Sequence, residues 1–110
     1  MIPKYRSPTP PGEILLTEFL QPMGISQVEA ARRLGIPLNR LNEVIRGRRG
    51  ITADTALRLG RMLNTSPEFW MKLQVATDLS RAARVAEERG EYQTGSEAQP
   101  ATGAVKQAAR

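Results

Sequence analysis

A chain of 110 residues has room for one domain with a modest core and some tail. Only Tyr5, Phe19, Phe69, Trp70 and Tyr92 are aromatic, so Leu, Ile and Ala must fill that core, which suits packed helices better than a sheet. The chain lacks both Cys and His, which removes disulfides, thiolate metal sites and the commonest general bases and nucleophiles; neither an enzyme, a metal site nor a cofactor is expected, and a net charge of +5 leaves an anionic partner open.

In chain order, residues 1–10 read as a flexible Pro-rich lead, with no signal-peptide core. Pro11 suits the first helical position and Glu13 the first turn; Leu15, Leu16, Phe19, Leu20 and Met23 then recur at helical spacing, and Pro22 is expected to end this first helix. Ser26-Gln27-Val28-Glu29 reads as a capping box, hydroxyl and carboxylate each satisfying one free amide, for a second helix closed by Gly35. A third helix spans about 37–46 and stops at Gly47, followed by the basic turn Arg48-Arg49-Gly50. Thr52 caps a fourth helix with Ala56, Leu59 and Leu63 facing inward, and Asn64 suits its C-cap. Ser66-Pro67-Glu68 opens a fifth helix carrying Phe69, Trp70 and Leu73, which continues toward Arg89 before Gly90. Residues 91–110 are Ala/Gly/Gln-rich and predict a disordered tail. No apolar run is long enough for a membrane span, and with no cysteine the composition fits a cytoplasmic address.

The charge is concentrated. Residues 32–49 hold Arg32, Arg33, Arg40, Arg46, Arg48 and Arg49 against Glu43, a net +5, so the rest of the chain sums to zero. By itself this leaves nucleic-acid binding and a solvated surface equally open. The second and third helices, joined by a Gly-containing turn, have the layout of a helix-turn-helix unit. Wound at about 100° per residue, the third helix divides into an apolar arc (Leu38, Leu41, Val44, Ile45) and a polar arc of Asn39, Arg40, Asn42, Glu43 and Arg46. Asn, Arg and Glu are the side chains that read adenine, guanine and cytosine edges. Two alternatives stay open: Asn39 as a local cap, and Glu43 as a partner of Arg40 or Arg46. Phe69 and Trp70 suit core or dimer packing better than a ligand cage.

Residues 10–80 resemble the HigA/VapI antitoxins, a branch of the phage-repressor-like helix-turn-helix regulators. The likeness rests on the opening PPGEILLTEFLQPMGIS, on Gly47-Arg48-Arg49-Gly50-Ile51-Thr52-Ala53-Asp54-Thr55-Ala56-Leu57-Arg58-Leu59, and on Thr65-Ser66-Pro67-Glu68-Phe69-Trp70. The resemblance implies an all-α, five-helix repressor domain over 11–90, without enzymatic activity. It implies a homodimer that binds palindromic double-stranded operator DNA, represses its own operon, and directly neutralises a small basic RelE-like toxin that cleaves mRNA. Gln27 would meet a phosphate or brace the recognition helix. Leu38, Asn39, Asn42 and Glu43 would lie at base edges, flanked by Arg40 and Arg46, with Arg48 and Arg49 on the backbone. Leu38 departs from the polar residue of many phage-type repressors and either meets a thymine methyl or packs inward. The dimer contact is expected at Phe69, Trp70 and Leu73 or just beyond, and the toxin contact at the Pro-rich lead with the first helix or at the segment from Asp78 to Tyr92. The runner-up function is a stand-alone regulator with no toxin.

Overall fold

The computed structural model describes residues 8–90, so the expectations for residues 1–7 and for the 91–110 tail lie outside the described residues. Among the described residues there are five helices and no strand. The core-bearing body lies within 8–79; the other described residues, 80–90, belong to a separate unit and carry the last helix on to Glu88, where Gly90 turns at φ 73°.

Helix α1 covers residues 11–23 as three consecutive segments: α-helical Pro11–Ile14, a π-helical Leu15–Leu20, and α-helical Gln21–Met23. Pro11 takes the first helical position behind an extended Pro10. The helix ends one residue past Pro22, at Met23, close to the expected end, and turns at Gly24, whose φ is 69°. The wider winding accommodates the proline. The Gln21 amide reaches back to the Leu16 carbonyl, five residues away. Pro22 has no amide to place, and its ring avoids the Glu18 carbonyl on which a continued α-turn would press it.

The other helices start and stop on local chemistry. Helix α2 is Gln27–Leu34: the Ser26 hydroxyl accepts from the Glu29 amide at 3.1 Å, and Gly35 ends it at φ 74°. Only half of the capping box forms. The Glu29 carboxylate turns instead to Arg32 and Arg33 on its own helix, two cations within one turn in place of one backbone amide. Helix α3 is Leu38–Ile45. Helix α4 is Ala53–Leu63, capped by the Thr52 hydroxyl, which accepts from the Thr55 amide, and ended by Asn64 at φ 58°. Helix α5 is Pro67–Glu88, with the Ser66 hydroxyl accepting from the Phe69 amide at 3.1 Å.

Leu15, Leu20, Leu41, Val44 and Leu59 are buried around Trp70, which is fully enclosed and donates its indole N–H to Thr65 Oγ1 at 2.7 Å. Burying side chains of this size contributes roughly 1.5–3 kcal/mol each. Helix α2 packs on α3 and on α4, and the start of α1 packs on α3. That last contact is close: a Cβ on Gly12 would stand 1.9 Å from the Val44 carbonyl oxygen and 2.8 Å from Ile45 Cα. Glycine therefore lets the backbone of α1 lie directly on the last turn of α3.

Candidate nucleic-acid interface

Helix α3 buries Leu41 and Val44 in the core and leaves Asn39 and Arg46 exposed, with Asn42 and Glu43 half-buried beside them. Leu38, at 39% exposure, is on the surface rather than packed inward. Asn39 does not cap the helix; the cap position is Pro37, with no side-chain bond. The Asn39 Oδ1 instead accepts from the Arg40 amide at 3.0 Å. Gln27 is half-buried in the first turn of α2.

Arg40, expected to touch bases or phosphates, is engaged within the protein. Its guanidinium donates to Thr55 Oγ1 at 2.8 Å and lies 3.6 Å from Asp54, so it ties α3 to the start of α4. Asp54 also accepts from Arg58 at 2.9 Å, and that bond, reinforced by the Arg40 charge, holds its carboxyl below the usual carboxylate range. Arg58 reaches on to the Leu34 carbonyl at 2.8 Å, closing the end of α2.

The basic turn is folded back onto α3. The amides of Arg48 and Arg49 both donate to the Glu43 carbonyl, at 2.8 and 3.2 Å, and Gly47 takes φ 78° between them and the helix. The Glu43 carboxylate pairs with Arg49 at 2.9 Å, not with Arg40 or Arg46 as the helical spacing suggested. The turn brings position 49 back over position 43, a proximity that helical spacing does not express.

This geometry changes the electrostatic picture. Of the six arginines in 32–49, Arg32 and Arg33 pair with Glu29, Arg40 with Asp54 and Arg49 with Glu43. Glu29 and Asp54 flank the segment in sequence, and Arg58 shares Asp54, so the folded cluster carries seven positive against three negative charges, +4 rather than +5. Hydrogen bonds from Arg32 and Arg33 pull the Glu29 carboxyl down to about 2. Arg46 and Arg48 are exposed and, among the described residues, have no ion-pair partner. The two unpaired cations stand at the end of the polar arc, where Asn42, Glu43 and Arg46 meet the turn.

The three residues assigned to dimer contact separate. Trp70 is 0% exposed and belongs to the core, so it is corrected from contact to support; its large ring fills the space among the helices. Phe69 is 38% exposed and packs edge-on against Trp70, with ring centroids 5.0 Å apart. Leu73 is partly buried against the core. A different face of α5 is open: Met71, Val75, Ala76 and Leu79 line a shallow apolar groove of about 420 Å³ with Glu68 and Lys72 at its edge.

Two residues escaped the sequence reading. Gly12 carries the close approach of α1 to α3; its signal was a glycine inside a helix, where it costs stability unless something needs the space. Gln74 is 8% exposed, and its Oε1 accepts from the Ile51 amide at 2.7 Å; its sign was a polar residue inside the apolar stretch Leu73-Gln74-Val75-Ala76.

A helix-turn-helix family model matches residues 16–70. Virulence-associated protein I of Dichelobacter nodosus is 49% identical over 72 residues, covering 66% of this chain and 67% of that protein. Antitoxin HigA-1 of Vibrio cholerae is 41% identical over 75 residues, covering 67% of this chain and 70% of that one. Among solved structures, that of the Pseudomonas aeruginosa antitoxin HigA with the higBA promoter is similar with a TM-score of 0.72 at 40% identity, covering 81% of this chain and 99% of its own.

Proposed function

Because the chain belongs to the helix-turn-helix family, in the branch of HigA and VapI, we propose that it is the antitoxin of a toxin–antitoxin pair, acting as an operator-binding dimer. In this reading α3 lies in the major groove. Asn42 reaches a base edge with Arg46 on the adjoining phosphate, Asn39 joins Asn42 by giving up its bond to the Arg40 amide, and Leu38 meets a thymine methyl. Arg48 holds a phosphate, and Arg49 does so once Glu43 is drawn to a cytosine amino group. Gln27, in the first turn of α2, sits where a helix N-terminus favours a phosphate oxygen. Arg40 stays with Asp54 and Thr55 and holds the recognition helix at its angle. The observation that carries the reading is the unpaired Arg46 and Arg48 beside the solvated arc of Asn39, Asn42 and Glu43, on a chain similar to an antitoxin whose structure includes its promoter.

The dimer is assigned to the open face of α5. The same patch on two copies buries Met71, Val75 and Leu79, and its one acid and one base, Glu68 and Lys72, can pair across a two-fold axis. The toxin is a small basic RelE-like protein bound away from the recognition face, so that repression and neutralisation coexist. Co-expression tests the whole reading. The chain should relieve growth arrest by a toxin encoded beside it and bind its own upstream DNA. DNA binding without neutralisation of any neighbouring toxin would make it a stand-alone regulator.

A further inference from the structure

We propose that Gln74 is a positioning residue for operator binding: from α5 it holds the basic turn in the place where Arg48 and Arg49 meet the DNA backbone. The proposal rests on the reading of that turn as a phosphate contact. The turn leaves α3 with its first end pinned, since the Arg48 and Arg49 amides share the Glu43 carbonyl. Among the described residues, its second end has no backbone partner of that kind. There the Ile51 amide donates to Gln74 Oε1 at 2.7 Å, in a buried contact that spans 23 residues of sequence.

The orientation of the carboxamide is set independently. Its Nε2 donates to Asp78 Oδ1 at 2.9 Å, one helical turn on, so only the oxygen can face the Ile51 amide. Gly50 completes the arrangement: a Cβ there would lie 3.1 Å from Cδ and Nε2 of Gln74 and 3.3 Å from Oε1, so the turn rests on the flat face of the amide. Ile51 is itself buried, at 4% exposure, so its amide has no ready access to water and depends on this acceptor.

The consequence is a mechanical link. Helix α5 carries the face assigned to the second copy, at Met71, Val75 and Leu79. Gln74 stands on the same helix about a quarter-turn round from that face. The basic turn is therefore registered to the helix that sets the dimer, as well as to the recognition helix, and phosphate contacts are held at a fixed place relative to the dimer axis.

A double-mutant cycle in the full chain tests this. The probe is a palindromic duplex selected from a random library with the wild-type protein. Gln74→Met keeps length and bulk and removes the acceptor; affinity should fall about tenfold, and the salt slope should become shallower by about 2 as one cation disengages in each protomer. In an Arg48→Ala, Arg49→Ala background the same change should have no further effect beyond about twofold. The swap of Gln74→Glu with Asp78→Asn keeps an oxygen for Ile51 and reverses the donor at 78, and should restore binding to within about threefold. If Gln74→Met loses its helical circular dichroism, the swap variant decides: binding near wild type supports the proposal, and loss comparable to Arg48→Ala, Arg49→Ala overturns it. An equal loss in both backgrounds, or folded Gln74→Met with unchanged affinity and slope, also overturns it. A wild-type chain that selects no duplex at all would instead remove the DNA-binding reading underneath.

Discussion

Gly12 and Glu29 show what single residues contribute and how differently each could be foreseen. A methyl at position 12 would overlap the Val44 carbonyl oxygen at 1.9 Å, and the obstacle is backbone, which cannot rotate aside. Gly12→Ala should therefore destabilise by about 1–3 kcal/mol despite the better helix propensity of alanine, lowering the melting temperature by at least about 4 °C. An unchanged melt would mean that α1 does not rest on α3. Glu29, half-buried on α2, has a pH signature. Its carboxyl is drawn down to about 2 from an ordinary 4.5 by hydrogen bonds from Arg32 and Arg33. A lowered folded value means that its contribution is present above pH 4.5 and fades as pH falls toward 2. The melting difference between the wild type and Glu29→Gln should shrink over that window and vanish at its acid end; a difference constant with pH would deny the pairing. Ser26, Gly35, Asn64 and Ser66 were legible because caps are written in adjacent residues. The partners of Arg40 and Arg49 were not, because each pair closes only when the chain folds.

Among the helices, α3 in the proposed reading carries the specificity and the turn after it the affinity. Asn42→Ala and Asn39→Ala should each relax preference at one or two base pairs by about 1–3 kcal/mol, read by selection from a random library. Arg48→Ala with Arg49→Ala should weaken all duplexes alike. A selection in which Asn39→Ala keeps full specificity would leave that residue with its bond to the Arg40 amide alone. The apolar and polar arcs of α3 were readable from residue types at helical spacing, and the core at Leu41 and Val44 follows them. The winding of α1 was not: Pro22 marks the end of the helix, but the π-helical stretch upstream of it has no signal in residue types at helical spacing.

In the whole molecule, the proposed assembly and DNA binding depend on surfaces that composition could only point toward. The large apolar residues of α5 suggested a dimer contact, but size does not say which face is already used; Trp70 is consumed by the core and Val75 and Leu79, at 51% and 65% exposure, are not. Val75→Glu should give a monomer by light scattering with its helical content intact, and with affinity for a palindrome much reduced because two recognition helices about 34–36 Å apart are no longer linked. A dimer that persists would move the contact elsewhere. The salt dependence of binding tests the account at its root. Six arginines per chain suggest roughly 6–10 phosphate contacts in a dimer and a log–log slope near −5 to −9. The folded pairing lowers this, because Arg46 and Arg48 are unpaired and Arg49 joins them only by leaving Glu43. With two or three cations from each protomer, the slope for a selected palindromic duplex should be about −4 to −5, and Arg46→Ala with Arg48→Ala should make it shallower by about 3–4. A slope shallower than about −2, or one that survives both substitutions unchanged, would contradict the assignment of this surface to DNA.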